Sequence, residues 1–252
     1  MKSEVTICIT TFLRPKVLHE CINCITKYYP NSKIIVAEQP PVDSKYSDRI
    51  FNNNNKQVKV LTLPFDCGAS FARNRLTEAV DTKFSVIMDD DMFFKNENLN
   101  SLLNFLKETD LDICGGMLTD SNGLIQRWDG IFWIENNCLH VEPIEIYYPY
   151  VILDLIPNFF IAKTNSLLKV KWCEEYKIGR EHIDFFWHVK QVGLKVGLSP
   201  LIIADHIHYR DTEYNFFRFR GTVNLYNELL LKRLKVNCIK SSTYHNLNIE
   251  RK

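Results

Sequence analysis

No stretch of the 252-residue sequence approaches the ~20 consecutive apolar residues that a membrane span requires. The segment Met1 to Thr11 carries one lysine and then a short β-like run containing Glu4, which is not the pattern of a secretory leader. These absences predict a cytoplasmic protein, unless an N-terminal anchor has been removed, with peripheral contact at the inner membrane face left open. Charge of one sign is also missing: the formal net charge is +1, so nothing points to nucleic acid or an acidic polymer. The cysteines at 8, 21, 24, 67, 114, 138, 173 and 238 form no regular framework and lie mostly in apolar stretches. Free buried thiols in a reducing compartment are therefore expected. Cys21 and Cys24 make a CxxC on a helical pattern without a second pair, which argues against zinc or redox chemistry. No internal repeat is present, and the turn after the first apolar run, "TTFLRPK", has no glycine with which to cradle a phosphate.

What is present is the composition of a globular chain, 46% hydrophobic and 24% charged. "EVTICITT" (4–11) reads as a buried strand, and Pro15 suits the first turn of the helix that follows. There Val17, Leu18, Cys21, Ile22, Cys24, Ile25 and Tyr28 recur at helical spacing. Strands are predicted over 33–41, 57–63 and 83–89, the second after an Asn-rich loop (52–55), and a helix over 68–80. This order and spacing predict an α/β fold with a mostly parallel central sheet flanked by helices. Beyond it come a helix (96–108), a strand with paired glycines (112–120) and an aromatic, irregular β-rich stretch (121–163). A helix over 181–193, a strand emerging into a His-rich segment over 197–210 and one long amphipathic helix over 214–235 complete the pattern. The polar residues 236–252 are expected to be loose. One domain with two lobes, about 1–118 and 119–235, accommodates these elements.

"VIMDDDMFF" (86–94) is the informative stretch. Three adjacent carboxylates repel one another, so Asp89 to Asp91 are either a solvated turn or the seat of something positive. A divalent cation carrying a phosphate-bearing ligand is the natural candidate. The triplet falls at the carboxyl end of the strand over 83–89, where open α/β sheets bind ligands.

With "TICITTFLRP", "FARNR", "VIMDDDMFF", "ICGGM", "NFFIAKT", "EHIDFF" and "IADHIHY" in that order over about residues 4–210, the sequence resembles inverting glycosyltransferases of the GT-A fold and family-2 type. Within that family it is most similar to the animal ganglioside β1,4-N-acetylgalactosaminyltransferase catalytic domains. The resemblance implies a nucleotide-diphospho-sugar transferase fold, with a nucleotide-binding first lobe and an acceptor-binding, catalytic second lobe. The implied reaction moves a sugar from a UDP-sugar to a hydroxyl of a glycan or glycolipid acceptor with Mn²⁺ or Mg²⁺. N-acetylgalactosamine is the first candidate sugar, then galactose or N-acetylglucosamine. By the same resemblance Asp91 ligates the metal, Asp90 meets the ribose, and Asp89 meets the donor sugar or an arginine. Thr10, Thr11 and Arg14 contact the diphosphate turn, Glu38 reads uracil or ribose, and Arg73 with Asn74 braces the nucleotide and Asp89. Gly116, from the paired glycines, joins the donor-binding group.

His206 and His208 alternate along a strand, so one of them faces the metal; the Asp205-His206 pair of the relatives favours His206, with His208 as the substitute. For the base, Glu181 and Asp184 share a helix face three residues apart. The relatives keep an acid at the position of Asp184, which favours it over Glu181. Trp128, Trp133, Asn158 and Phe159 lie where acceptors bind in the family. Two other classes compete. A sugar nucleotidyltransferase would want the glycine-bearing loop this chain lacks, and in a non-catalytic carbohydrate-binding protein the acidic and histidine clusters would be coincidental.

Overall fold

The computed structural model describes residues 4–43, 48–95, 99–209, 211–242 and 248–250. In chain order the first elements are β1 (Val5–Thr11), α1 (Pro15–Tyr28), β2 (Lys33–Glu38), β3 (Val58–Thr62), α2 (Ala69–Ala79) and β4 (Phe84–Asp89). Then come β5 (Met92–Phe94), α3 (Leu99–Glu108), β6 (Ile113–Thr119), β7 (Ile125–Gln126), β8 (Ile131–Glu135), β9 (Cys138–Glu142) and β10 (Val151–Leu153). The chain continues through β11 (Phe160–Lys163), α4 (Thr164–Leu167), α5 (Glu181–Gln191) and β12 (Val196–His206). It closes with α6 (Thr212–Arg218), α7 (Val223–Leu234), β13 (Cys238–Lys240) and β14 (Ile249–Glu250).

A ten-stranded sheet runs in the order β10-β12-β6-β11-β4-β1-β2-β3, with β5 on β12 and β7 on β6. The β4-β1-β2-β3 block and the β6-β12 pair are parallel, and β11 runs antiparallel between them. β1 is buried at every position, which is why it reads as an unbroken apolar run. Alternate residues feed two cores: Ile7 and Ile9 face α1 and α3, and Cys8 faces the layer with α2, α5 and α7. Helix α1 begins on Pro15 and turns Val17, Leu18, Cys21, Ile22 and Ile25 onto the sheet. Among the described residues no helix is long and apolar enough to cross a membrane.

Gly68 sets the entry to α2. Its φ is +94°, and a Cβ there would lie 2.5 Å from the Lys177 Cα. The neighbouring Ala69 N–H donates to the Lys177 carbonyl at 2.8 Å. This contact draws α2 against the segment that leads into α5.

Three expectations are corrected. The single helix over 214–235 is two, α6 and α7, because Gly221 between them adopts a φ of +79°. Asp211 caps α6 by accepting from the Tyr214 N–H at 2.9 Å. The supposedly loose 236–252 tail contributes β13 and β14 to a four-stranded sheet, β14-β13-β9-β8; its residues 243–247 and 251–252 lie outside the described residues. The cysteines are not all free either: Cys138 and Cys238 face each other on β9 and β13 and are disulfide-bonded across 100 residues of sequence. In the chain-entropy picture, closing a ~100-residue loop stabilises the fold by about 4.7 kcal/mol. Such a bond persists in oxidising compartments, so it is at odds with the reducing one expected. The other six cysteines are free. Cys21 and Cys24 lie against the Met92 and Phe94 carbonyls. The first three residues of the helix expected over 96–108 fall outside the described residues.

Candidate active site

Parallel register brings the expected donor residues to one edge. Thr10 lies opposite Asp89, and Thr11 opposite Glu38. β5 then returns antiparallel against the end of β12, pairing Met92 with His206, and the Ile207 N–H donates to the Asp91 carbonyl at 3.0 Å.

Asp90 and Asp91 are buried, Asp89 is half-buried, and all three are held. Asp89 accepts from Thr10 Oγ1 at 2.6 Å and from Arg73 Nη2 at 2.9 Å. Asp90, without exposed surface, accepts from Thr11 Oγ1 at 2.6 Å and pairs with Arg14. Asp91 takes the other Arg14 nitrogen at 2.7 Å. Thr10 and Thr11 thus spend their hydroxyls on the aspartates. Arg73 continues through Nη1 to Glu181 Oε1 at 3.3 Å, so one guanidinium ties α2, β4 and the start of α5 together.

Four carboxylates, the half-buried Asp89 and the buried Asp90, Asp91 and Glu181, thereby share two guanidiniums, a shortfall of two positive charges. Uncompensated buried charge is costly. The excess registers at Asp90, whose pKa is raised, chiefly by burial, with Arg14 opposing. At Asp91 burial also pushes upward, but the His206 hydrogen bond and Arg14 overcome it and hold the carboxyl below its ordinary range. His182 adds no charge, since burial, with Arg73 beside it, holds its imidazole down to about 3.

Ligand atoms of Asp91, His206 and His208 lie within 4.8 Å of one another. The expectation that only one histidine faces the aspartate is corrected. β12 ends at His206, so strand alternation does not extend to His208, and the two rings meet edge to face at 4.2 Å. His206 Nδ1 lies 2.7 Å from Gln126 Oε1, and its Nε2 lies 3.5 Å from Asp91 Oδ1. One carboxylate and two imidazoles converge there. The donor set therefore fits a divalent cation.

The base candidates separate. Glu181 is more than nine-tenths buried and its Oε2 has no hydrogen-bond partner. Asp184 is fully buried and turned away, its two oxygens accepting from Arg233 of α7 at 2.7 and 3.1 Å, while His188 Nδ1 lies 2.7 Å from the Asp184 backbone carbonyl. The structure brings Glu181 to the triplet and leaves Asp184 in a saturated pair.

Other expected residues lie as follows. Glu38 is buried at the end of β2 and accepts the Phe51 N–H at 2.5 Å, and burial raises its pKa. Asn74 does not reach Asp89; it bonds the Trp172 backbone and Glu174. Gly116 is small for packing, since a Cβ there would meet the Ile202 carbonyl at 2.7 Å and the Phe159 ring at 2.8 Å. Phe159 itself is fully buried core beside Phe94, so it offers no face to an acceptor. Asn158 keeps a buried, unpartnered Oδ1. Its place before β11, whose Phe160 pairs with Ile87, carries it toward the triplet end of β4. Trp128 and Trp133 are over a third exposed, and Trp133 stacks on His140 in the small sheet. Gln126 and Arg233 were not singled out by sequence; neither carries a local signal.

The sequence profile of Glycosyl transferase family 2 matches residues 6–177, and the chain belongs to that family. Its α/β fold is that of GT-A-type glycosyltransferases. It is 30% identical over 215 residues to beta-1,4 N-acetylgalactosaminyltransferase 2 of Mus musculus, covering 82% of this chain and 40% of that protein. To beta-1,4 N-acetylgalactosaminyltransferase 1 of Homo sapiens it is 29% identical over 217 residues, covering 80% and 38%. The chain thus spans about two fifths of the length of these curated relatives. S. aureus TarS, residues 1–349 in complex with UDP, shares the fold with a TM-score of 0.59 at 16% identity, over 90% of this chain and 65% of that one.

Proposed function

We propose that the chain moves a sugar from a UDP-sugar to a hydroxyl of a glycan or glycolipid acceptor, inverting the anomeric centre with the help of a divalent cation. The observation that carries this reading is the shortfall of two positive charges among Asp89, Asp90, Asp91 and Glu181, which share only Arg14 and Arg73. A divalent cation on Asp91, His206 and His208 would close that shortfall and, when bound, neutralise charge growing on the departing diphosphate. One carboxylate and two imidazoles suit Mn²⁺ better than Mg²⁺.

The chain's own residues do the rest. Arg14 and Glu38, at the ends of β1 and β2, flank the nucleotide, and Thr10, Thr11 and Arg73 fix the aspartates that face it. Asp89 and Asp90 line the sugar and ribose side, and Asn158, with Trp128 and Trp133 further out, stands toward the acceptor. Glu181, held through Oε1 by Arg73, takes the hydroxyl proton on Oε2 as the new C–O bond forms and the bond to the diphosphate breaks. Asp184 is a structural anion in this scheme. The relatives' names favour N-acetylgalactosamine as the sugar, then galactose or N-acetylglucosamine.

Incubation of the protein with each of the three UDP-sugars and Mn²⁺, with water as the acceptor hydroxyl and the anomeric proton read by NMR before mutarotation, tests the proposal. An α-linked donor should give a β-configured product in a Mn²⁺-dependent reaction. An α product overturns the inverting mechanism, and no turnover of any of the three overturns the function.

A further inference from the structure

Helix α6 lies beyond the 6–177 stretch that matches the family, yet it is fastened to the turn that carries Arg14. Arg49 bridges the two, donating to the Leu13 carbonyl at 3.3 Å while pairing with Asp211 and Glu213 at the start of α6. Phe217 of α6 packs on Phe12 and Phe65 with ring centroids 5.3 and 5.4 Å apart. Between these fastenings Tyr214, 7% exposed, lies under Arg14, whose guanidinium carbon sits 4.4 Å from the ring centroid. The two terminal nitrogens of that guanidinium, one edge of the fork, reach Asp90 and Asp91, and its Nε is buried without a partner among the described residues.

We propose that Tyr214 is a positioning residue of the donor site, its ring fixing the Arg14 guanidinium where it meets Asp90, Asp91 and the diphosphate of the donor. An arginine side chain has several rotatable bonds, and two acidic contacts on one edge do not fix the plane of the fork. The aromatic face below fixes it, and α6 supplies that face. The unpartnered Nε then remains for a phosphate oxygen. This inference rests on the UDP-sugar reading of the site.

Calorimetric titration of UDP in saturating Mn²⁺ tests it. A desolvated cation–π contact is worth ~2 kcal/mol, so Tyr214→Leu should bind UDP roughly 10- to 30-fold more weakly. Tyr214→Phe keeps the ring and should stay within about twofold of wild type. Arg14→Ala should lose at least as much as Tyr214→Leu, and the double variant should add little to it, because both changes remove one unit. Tyr214→Leu binding like wild type overturns the inference. So does Tyr214→Phe binding as weakly as Tyr214→Leu, since the hydroxyl that accepts from Arg218 at 2.9 Å would then be the working group. Should Tyr214→Leu lose its cooperative melting transition, Arg14→Lys decides: it keeps the charge without the flat fork, so wild-type affinity there rejects the inference. Wild-type protein that does not bind UDP at all refutes the parent reading instead.

Discussion

Arg73 and Arg233 each hold a carboxylate of α5, three residues apart on one helix, and the two clusters differ in what they leave over. Arg233 gives two hydrogen bonds to Asp184, one to each oxygen, and the pair closes on itself between α5 and α7. Arg73 is divided between Asp89 and Glu181, and Glu181 keeps an oxygen with no partner. A closed pair locks two helices together. An open one, beside a cluster with too much negative charge, is equipped to receive a proton and a ligand. Burial does not separate the two, because both carboxylates are more than nine-tenths buried. Satisfaction of their lone pairs does.

The sharpest way to break this comparison is to neutralise each acid in turn. Glu181→Gln should lower turnover of the UDP-sugar by roughly 10²- to 10⁴-fold, the usual range for a general base, with UDP affinity and melting temperature little changed. Full activity in that variant would leave the base unassigned. Asp184→Asn should do the reverse. Breaking a buried ion pair costs about 3–5 kcal/mol, and the partly exposed Arg233 puts this pair at the low end. A domain of this size should then melt roughly 6–12 °C lower in a thermal scan, while turnover per folded molecule stays within about threefold.

A smaller effect probes the open cluster from its edge. Gln126→Leu removes the partner that orients His206 and should weaken Mn²⁺, measured by titration, by about 10- to 100-fold. The smallest prediction concerns a third acid, Asp66, which pairs with Arg220 and Lys177 and resembles Asp184 at the surface. Burial raises its pKa, but the hydrogen bonds from Arg220 and Lys177 win and leave it lowered. A folded value below the unfolded ~3.9 means the pair stabilises above that pH and stops doing so as pH falls through the folded value. The stability difference between wild type and Asp66→Asn should therefore be constant, at no more than about 1 kcal/mol, above pH ~5 and shrink below pH ~4 in urea melts.

What the sequence made legible follows from which interactions are local. The Asp89–Asp91 edge was readable because buried parallel strands write themselves as apolar runs and because their carboxyl ends bind ligands. The pairing of Arg73 with Asp89 came with the family resemblance. Helical spacing shows that Glu181 and Asp184 share a side but not which arginine each meets; Arg233, the partner of Asp184, lies 49 positions on. The Cys138–Cys238 bond was hidden for a similar reason, its partners being 100 residues apart and joined by pairing of β9 with β13. The break between α6 and α7 left a trace, Gly221 within an amphipathic pattern, that helical periodicity outweighed. His208 joined the cluster because β12 ends two residues earlier, and strand ends are poorly marked by composition.

The central claim, that this strand edge is a cation-assisted UDP site, is tested most directly by titrating UDP into wild-type protein and Asp91→Ala with and without Mn²⁺. Wild type should bind UDP strongly only with Mn²⁺, and Asp91→Ala, still folded by its melting transition, should lose the Mn²⁺-dependent part. Wild-type binding that ignores Mn²⁺, or an Asp91→Ala variant with an unchanged Mn²⁺ requirement, would contradict it.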